Sequence, residues 1–302
     1  MILEGDSSVI DALKEKKRLM DAGEPHEHIR PMLVCGSGCM KGAYAWGAGL
    51  ALAENGYQDC FHTIAGVSVG ALTGAYLVSG NIRDVESLPY IESCSTDFFS
   101  FKRPFNVLGT RYMRSVLEDY PGRGLDTEAV LSHPTRLQIG VSDFETAQPM
   151  LLEPASAEEV YEGLRATISM PGAVSDPVFI RGKRYVDGAS TIPFVRQIIY
   201  QQSEPTHIID IPNQEEEMAN YSYLEAFLLA TVYRRRISPA LRRAANGRRH
   251  NRRQFFQELT EYARVPTCLM WGDNSVGSFE ANPEKMKRAI EHARSTWDQL
   301  LR

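Results

Sequence analysis

Residues 61 to 80 read FHTIAGVSVGALTGAYLVSG and contain no Asp, Glu, Lys or Arg. A run of that length either crosses a bilayer or is buried on all sides in a protein core. Its four Gly, two Thr, two Ser and one His, without a leucine-rich body, argue against a lipid-facing helix. The pattern instead reads as a buried strand at 61 to 66 that turns at GVSVG into a buried helix. A strand hidden on both faces belongs to a parallel sheet covered by helices.

The flanking sequence repeats that logic. PMLVCG, from Pro31, is a short apolar strand running into SGCMKG, and AYAWGAGLALAENG reads as a helix closed by Asn55-Gly56. Two strands separated by one helix make a βαβ unit. Further along, TRLQIGVSDF and PMLLEP read as strands, SAEEVYEGLRATIS as an amphipathic helix ending before Met170-Pro171-Gly172, and PVFI and RYVDGAS as strands about the turn at Arg181-Gly182. THIIDIP at 206 to 212 and PTCLMW near the end are also strand-like. Helical segments are expected from about 221 to 262. A last helix starts at Asn282-Pro283 and puts Met286, Ile290, Ala293, Trp297 and Leu301 on one face. Residues 81 to 134 are rich in Phe, Ser, Pro and Gly and fit short helices and loops, as a cap would. The chain divides into an N-terminal extension (1–30), a core (31–212) and a mostly helical C-terminal extension (213–302).

A composition of 43% hydrophobic and 24% charged residues excludes a disordered chain. The net charge of −5 conceals nine Arg and no acid within 234 to 253, which leaves −14 on the remainder. That basic stretch reads either as a peripheral contact with an anionic membrane surface or as a partner for the acidic remainder. No aromatic platform accompanies it, so nucleic acid is not expected as a partner. The five cysteines form no CxxC pair and the N-terminus lacks a secretory apolar stretch, so reduced thiols and a cytoplasmic location are the expectation.

Gly66, Ser68 and Gly70 satisfy the G-x-S-x-G elbow, in which a tight strand-to-helix turn projects the serine hydroxyl above the sheet edge. The pentapeptide alone is also compatible with a glycine-rich bend. The second loop, GSGCMKG at 36 to 42, follows a strand and precedes a helix, where backbone amides are offered to an anion. Neither nucleotide-loop spacing is matched, and an oxyanion hole is the other use of such amides. In a parallel sheet both loops emerge at the carboxyl ends of their strands and face one cleft. Asp187 ends a strand in YVDGAS; this is either an ordinary Asp-Gly turn or a carboxylate delivered to the sheet rim. With an ordinary pKa of about 3.9 a carboxylate abstracts a hydroxyl proton only through geometry and a dry site.

Together these residues resemble the patatin-like phospholipase family. SGCMKGAYAWGAGLALAENG is similar to its G-G-G-x-[RK]-G segment and helix, IAGVSVGAL to its elbow, and RYVDGAS to its D-G-[AG] block, in the family's order; SDFETAQPMLL and ISMPGAVSDPVFIRGKRYVDG agree more weakly. The resemblance covers about residues 32 to 212. It implies a three-layer α/β/α sandwich with a mainly parallel central sheet, and a Ser-Asp dyad of Ser68 and Asp187 without histidine. It also implies backbone oxyanion donors from Ser37, Gly38, Cys39 and Lys41, with Lys41 at the family's basic position, joined by the amide of Val69. The three consecutive glycines of the family stand here as Ser37, Gly38 and Cys39, and a tilted amide there would reduce or narrow activity. The expected function is cleavage of acyl esters of phospholipids or related lipids, with no metal and no cofactor. Two alternatives stand beside it: a Ser-His-Asp esterase with His207 as base, and a catalytically silent lipid-binding protein of the same fold.

Overall fold

The computed structural model describes residues 2–100, 102–103, 106–119, 124–191, 194–212, 238–241, 263–273 and 275–302. Among them, nine strands form one sheet: β1 (Ile2–Gly5), β2 (Pro31–Cys35), β3 (Thr63–Val67), β4 (Arg136–Asp143), β5 (Pro149–Leu152), β6 (Val178–Ile180), β7 (Lys183–Asp187), β8 (His207–Ile211) and β9 (Thr267–Trp271). Their order is β1-β9-β8-β2-β3-β4-β7-β6, with β5 paired to β4 off this path. The five strands from β9 to β4 are parallel, and antiparallel strands finish both sides. The mainly parallel sheet expected from the uncharged runs is therefore present, with its parallel strands at the centre.

The helices are α1 (Ser8–Asp21), α2 (Ala43–Glu54), α3 (Val69–Val78), α4 (Leu88–Ile91), α5 (Thr110–Asp119), α6 (Thr127–Ser132), α7 (Ala157–Thr167), α8 (Phe194–Tyr200) and α9 (Pro283–Leu301). Side chains alternate across each strand, so the sheet builds two cores. Leu33, Cys35, Ile64 and Ile139 pack with α2, α3 and α7 on one face. Met32, Val34, Ala65 and Val67 pack with Val195 and Ile199 of α8 on the other. Every residue of α2 from Ala43 to Ala53 is buried, which is why that helix is written in alanine and glycine rather than with a polar face. Its cover is α9, which buries Met286, Ile290, Ala293, Trp297 and Leu301 on the face its periodicity indicates, together with Ala289.

Residues 61 to 80 form β3 and α3, and no helix among the described residues is long and apolar enough to cross a membrane. β1, which the polar N-terminal segment does not announce, joins the edge of the sheet by pairing antiparallel with β9. Residues 81 to 134 hold α4, α5, α6 and loops, with one isolated bridge between Phe99 and Leu108. The helical segments expected over 221 to 262 lie outside the described residues, apart from 238–241, and so does the Arg-rich stretch at 234 to 253, apart from the same four positions.

Candidate active site

The strand β4 brings the two sequence-distant candidates together. Its Ile139 and Gly140 pair with both β3 and β5, and its Val141 and Ser142 pair with both β5 and β7, so β3 and β7 share the same edge of β4. β3 runs parallel to β4 and ends with Val67 opposite Gly140. β7 runs antiparallel and ends with Asp187 opposite Val141. The two strands thus approach each other head-on and stop at adjacent positions, leaving Ser68 and Asp187 side by side. The Ser68 hydroxyl donates to Asp187 Oδ2 at 3.0 Å, and both residues are buried.

The backbone of the elbow is strained. Ser68 has φ +56° and ψ −131°, a conformation L-residues avoid unless their surroundings impose it. The surroundings are tight: a Cβ on Gly70 would lie 2.2 Å from the Cys35 carbonyl oxygen, and one on Gly66 would lie 2.3 Å from the Cα of Ala71. Only hydrogen fits at those two positions, so α3 can start directly against the end of β2. The amide of Ser68 donates to Thr167 Oγ1 at 2.8 Å, and that hydroxyl donates to the Gly140 carbonyl at 2.6 Å. Thr167 therefore ties the elbow to β4.

Asp187 is fixed from three directions. Its amide donates to the Ser169 carbonyl at 3.1 Å, its Oδ1 accepts the Ala189 amide at 2.7 Å, and its carbonyl accepts the Ser142 hydroxyl at 3.2 Å. With Oδ1 held by the backbone, Oδ2 is aimed at Ser68. Sequence reasoning missed Thr167, Ser169 and Ser142, because Ser and Thr at strand and helix ends carry no motif of their own.

The glycine loop follows β2 and tightens into a 3-10 turn at Cys39–Gly42. Cys39 has φ +51°, a left-handed conformation at the position where the family pattern has its third glycine. The Lys41 amide donates to the Gly38 carbonyl at 3.0 Å within the loop, and the Met40 amide donates to the Ser278 carbonyl at 3.3 Å. Beneath the loop Arg196 donates to Asp210, which also accepts the Tyr200 hydroxyl at 2.5 Å. Burial pushes the Asp210 carboxyl above its ordinary range against the pull of Arg196 and Tyr200, and burial raises the neighbouring Cys35 thiol to about 12.

A pocket opens over this point, lined by Ser68, Asp187, Cys39 and Val69 and by apolar side chains that include Leu72, Phe98 and Ile168. Ser37, Gly38 and Lys41 do not line it; Ser37 and Lys41 are buried beside it. The positive end of α3 begins at Val69, on the cavity wall. Among the described residues no histidine lines the cavity. His207 begins β8 level with Pro31, at the amino end of the sheet, which is roughly 20 Å along the strand direction from Ser68 at about 3.3 Å per residue. Among the described residues no three His, Cys, Asp or Glu side chains gather as a metal-ligating group.

A family model described as patatin-like phospholipase matches residues 33–196. Among solved structures the chain is similar to VipD from Legionella pneumophila, with 14% identity and a TM-score of 0.51 over 90% of this chain and 66% of that one. It is also similar to the human GIVD cytosolic phospholipase A2 bound to methyl gamma-linolenyl fluorophosphonate, with 13% identity over 98% of this chain and 62% of that one; the TM-score of 0.38 is too low to support an argument. The chain thus spans less than two thirds of the length of either structure. No curated protein matches the sequence.

Proposed function

Because this chain belongs to the patatin-like phospholipase family, whose model matches residues 33–196, we propose that it is a serine acyl hydrolase acting on carboxylic esters of phospholipids or related lipids through a Ser68–Asp187 dyad. The observation that carries this reading is the 3.0 Å hydrogen bond from the Ser68 hydroxyl to Asp187 Oδ2 on the wall of an apolar cavity. Ser68 Oγ attacks the ester carbonyl as its proton passes to Asp187 Oδ2, forming a tetrahedral intermediate. Of the donors the resemblance implies, Cys39 and Val69 line the cavity, and their amides are the ones we assign to its oxyanion; the start of α3 adds positive potential there. The intermediate collapses, the leaving alcohol takes the proton from Asp187, and an acyl ester remains on Ser68. Water then gives a proton to Asp187 and attacks this ester; the released fatty acid departs and the proton returns to Ser68.

The lipid class follows from the family and from the cavity wall, since apolar lining with few polar groups favours an alkyl chain over a sugar or peptide. Peripheral attachment to anionic lipid through the Arg-rich 234 to 253 stretch is part of the same proposal, at about 1 kcal/mol per basic residue near the surface. The position of His207 at the far end of the sheet counts against the histidine alternative.

Hydrolysis of p-nitrophenyl esters and of a fluorescent phosphatidylcholine tests the reading. Ser68→Ala is expected to remove turnover, Asp187→Asn to lower kcat by about 100- to 10,000-fold, and His207→Ala to stay within about twofold of the parent. An active Asp187→Asn with an inactive His207→Ala would move the base to the histidine. No turnover by the parent, with Ser68 untouched by a fluorophosphonate, would make the protein a silent lipid binder.

A further inference from the structure

The cavity has a wall that the family-matched residues do not supply. Ser278 and Phe279 line it, and both lie beyond residue 196, in the segment that joins β9 to α9. The ring of Phe279 stacks on that of Phe99, with centroids 5.7 Å apart and planes 19° from parallel. Phe99 comes from the cap, where it bridges to Leu108, and the Ser100 amide donates to the Val107 carbonyl at 2.9 Å. Two segments more than 170 residues apart in sequence thus place one aromatic ring each at the same point of the cavity rim.

The segment carrying Phe279 is anchored on both sides of the ring. Tyr44 donates its hydroxyl to Asp273 at 2.7 Å and accepts the Val276 amide at 3.3 Å, and Val276 is fully buried. On the other side Asn282 caps α9. Next to the ring, the Ser278 carbonyl accepts the Met40 amide of the glycine loop. The backbone is thereby held while Phe279 remains 45% exposed.

Ser68 and Asp187 are only 5% and 2% exposed, so an ester reaches them through the cavity whose wall includes Phe279. Leu72 and Ile168 belong to the packed core, whereas Phe279 is the exposed large side chain of the lining. We propose that Phe279, stacked on Phe99, is a two-ring gate that determines which acyl chains reach Ser68, favouring short chains over long ones. This rests on Ser68 being the nucleophile. A stacked aromatic pair changes an opening equilibrium by up to about tenfold, which sets the size of the expected effect.

The test is the rate at which ethyl and hexadecyl fluorophosphonates label Ser68 in the full-length protein, read by intact mass and peptide mapping. Phe279→Ala should raise the hexadecyl-to-ethyl rate ratio by about tenfold, Phe99→Ala should do the same, and the double variant should add little, because either truncation removes the one stack. Phe279→Tyr, which keeps a ring able to stack, should retain the parental ratio. Labelling at Ser68 with an unchanged or lowered ratio in Phe279→Ala would overturn the gate and leave the nucleophile standing. Failure of every variant and of the parent to label at Ser68 would overturn the nucleophile, and the gate with it.

Discussion

Ser68 is held in a conformation that costs of order 1–3 kcal/mol, and the contacts that impose it explain why so few residues announce the site. One of those contacts is the hydroxyl of Thr167, which accepts the Ser68 amide inside the protein. Thr167→Val keeps the shape but leaves that N–H buried without its acceptor, a loss of about 1–3 kcal/mol of stability. The expected result is a lower denaturant midpoint together with a fall in kcat, since the elbow loses its tie to β4, while KM for short esters changes little. Ser68 and Asp187 were legible as candidates through the resemblance of the elbow and of RYVDGAS to the family's motifs, since each local pattern alone also reads as an ordinary turn. Thr167 and Phe279 were not: each acts across a long stretch of chain, and a threonine at a helix end or a phenylalanine in a loop has many ordinary explanations. Cys39 falls between these cases. Its departure from glycine was visible in the sequence, but its φ of +51° was not.

At the scale of elements, β4 does the positioning, because one edge receives β3 and β7 from opposite directions. The strands themselves could be read from their apolar runs; the meeting of two of them at Gly140 and Val141 depends on pairing register, which no single-strand pattern encodes. The 81 to 134 segment is tied to this framework by Arg114 of α5, which makes a two-point contact with Glu158 of α7 at 2.7 and 3.0 Å and also donates to Glu118 and Glu162. The guanidinium holds the Glu158 carboxyl below the usual carboxylate range. The native state therefore binds fewer protons there than the unfolded chain. The clamp's contribution is whole at neutral pH and fades as pH falls through the lowered pKa of Glu158. Arg114→Ala should cost about 1 kcal/mol at pH 7, as a partly exposed network does, and the gap between parent and variant in urea midpoint should narrow on acidification. A gap that widens toward acid would contradict this account of the clamp.

At the scale of the whole molecule, elements outside the family-matched residues complete the sheet and cover its helices. β1 and β9 extend the sheet beyond the region that resembles the family, and α9 covers α2, a helix with no face prepared for water. The C-terminal helix was legible from the period of Met286, Ile290, Ala293, Trp297 and Leu301. Its docking partner was not, because an alanine- and glycine-rich helix buried on all sides carries no directional stripe. Trp297 is fully buried in that contact, and Trp297→Ala should lower unfolding free energy by about 3–5 kcal/mol, measured in guanidinium chloride, with little change in the parent's preference among ester chain lengths. The measurement that bears most directly on the central claim is a crystal structure of the protein after reaction with an alkyl organophosphonate. The account predicts phosphorus bonded to Ser68 Oγ, its oxygen facing the amides of the glycine loop and of Val69, and an Asp187 carboxylate oxygen within hydrogen-bond reach of the adduct. An adduct on another residue, or one at Ser68 with Asp187 turned away and a histidine in its place, would contradict it.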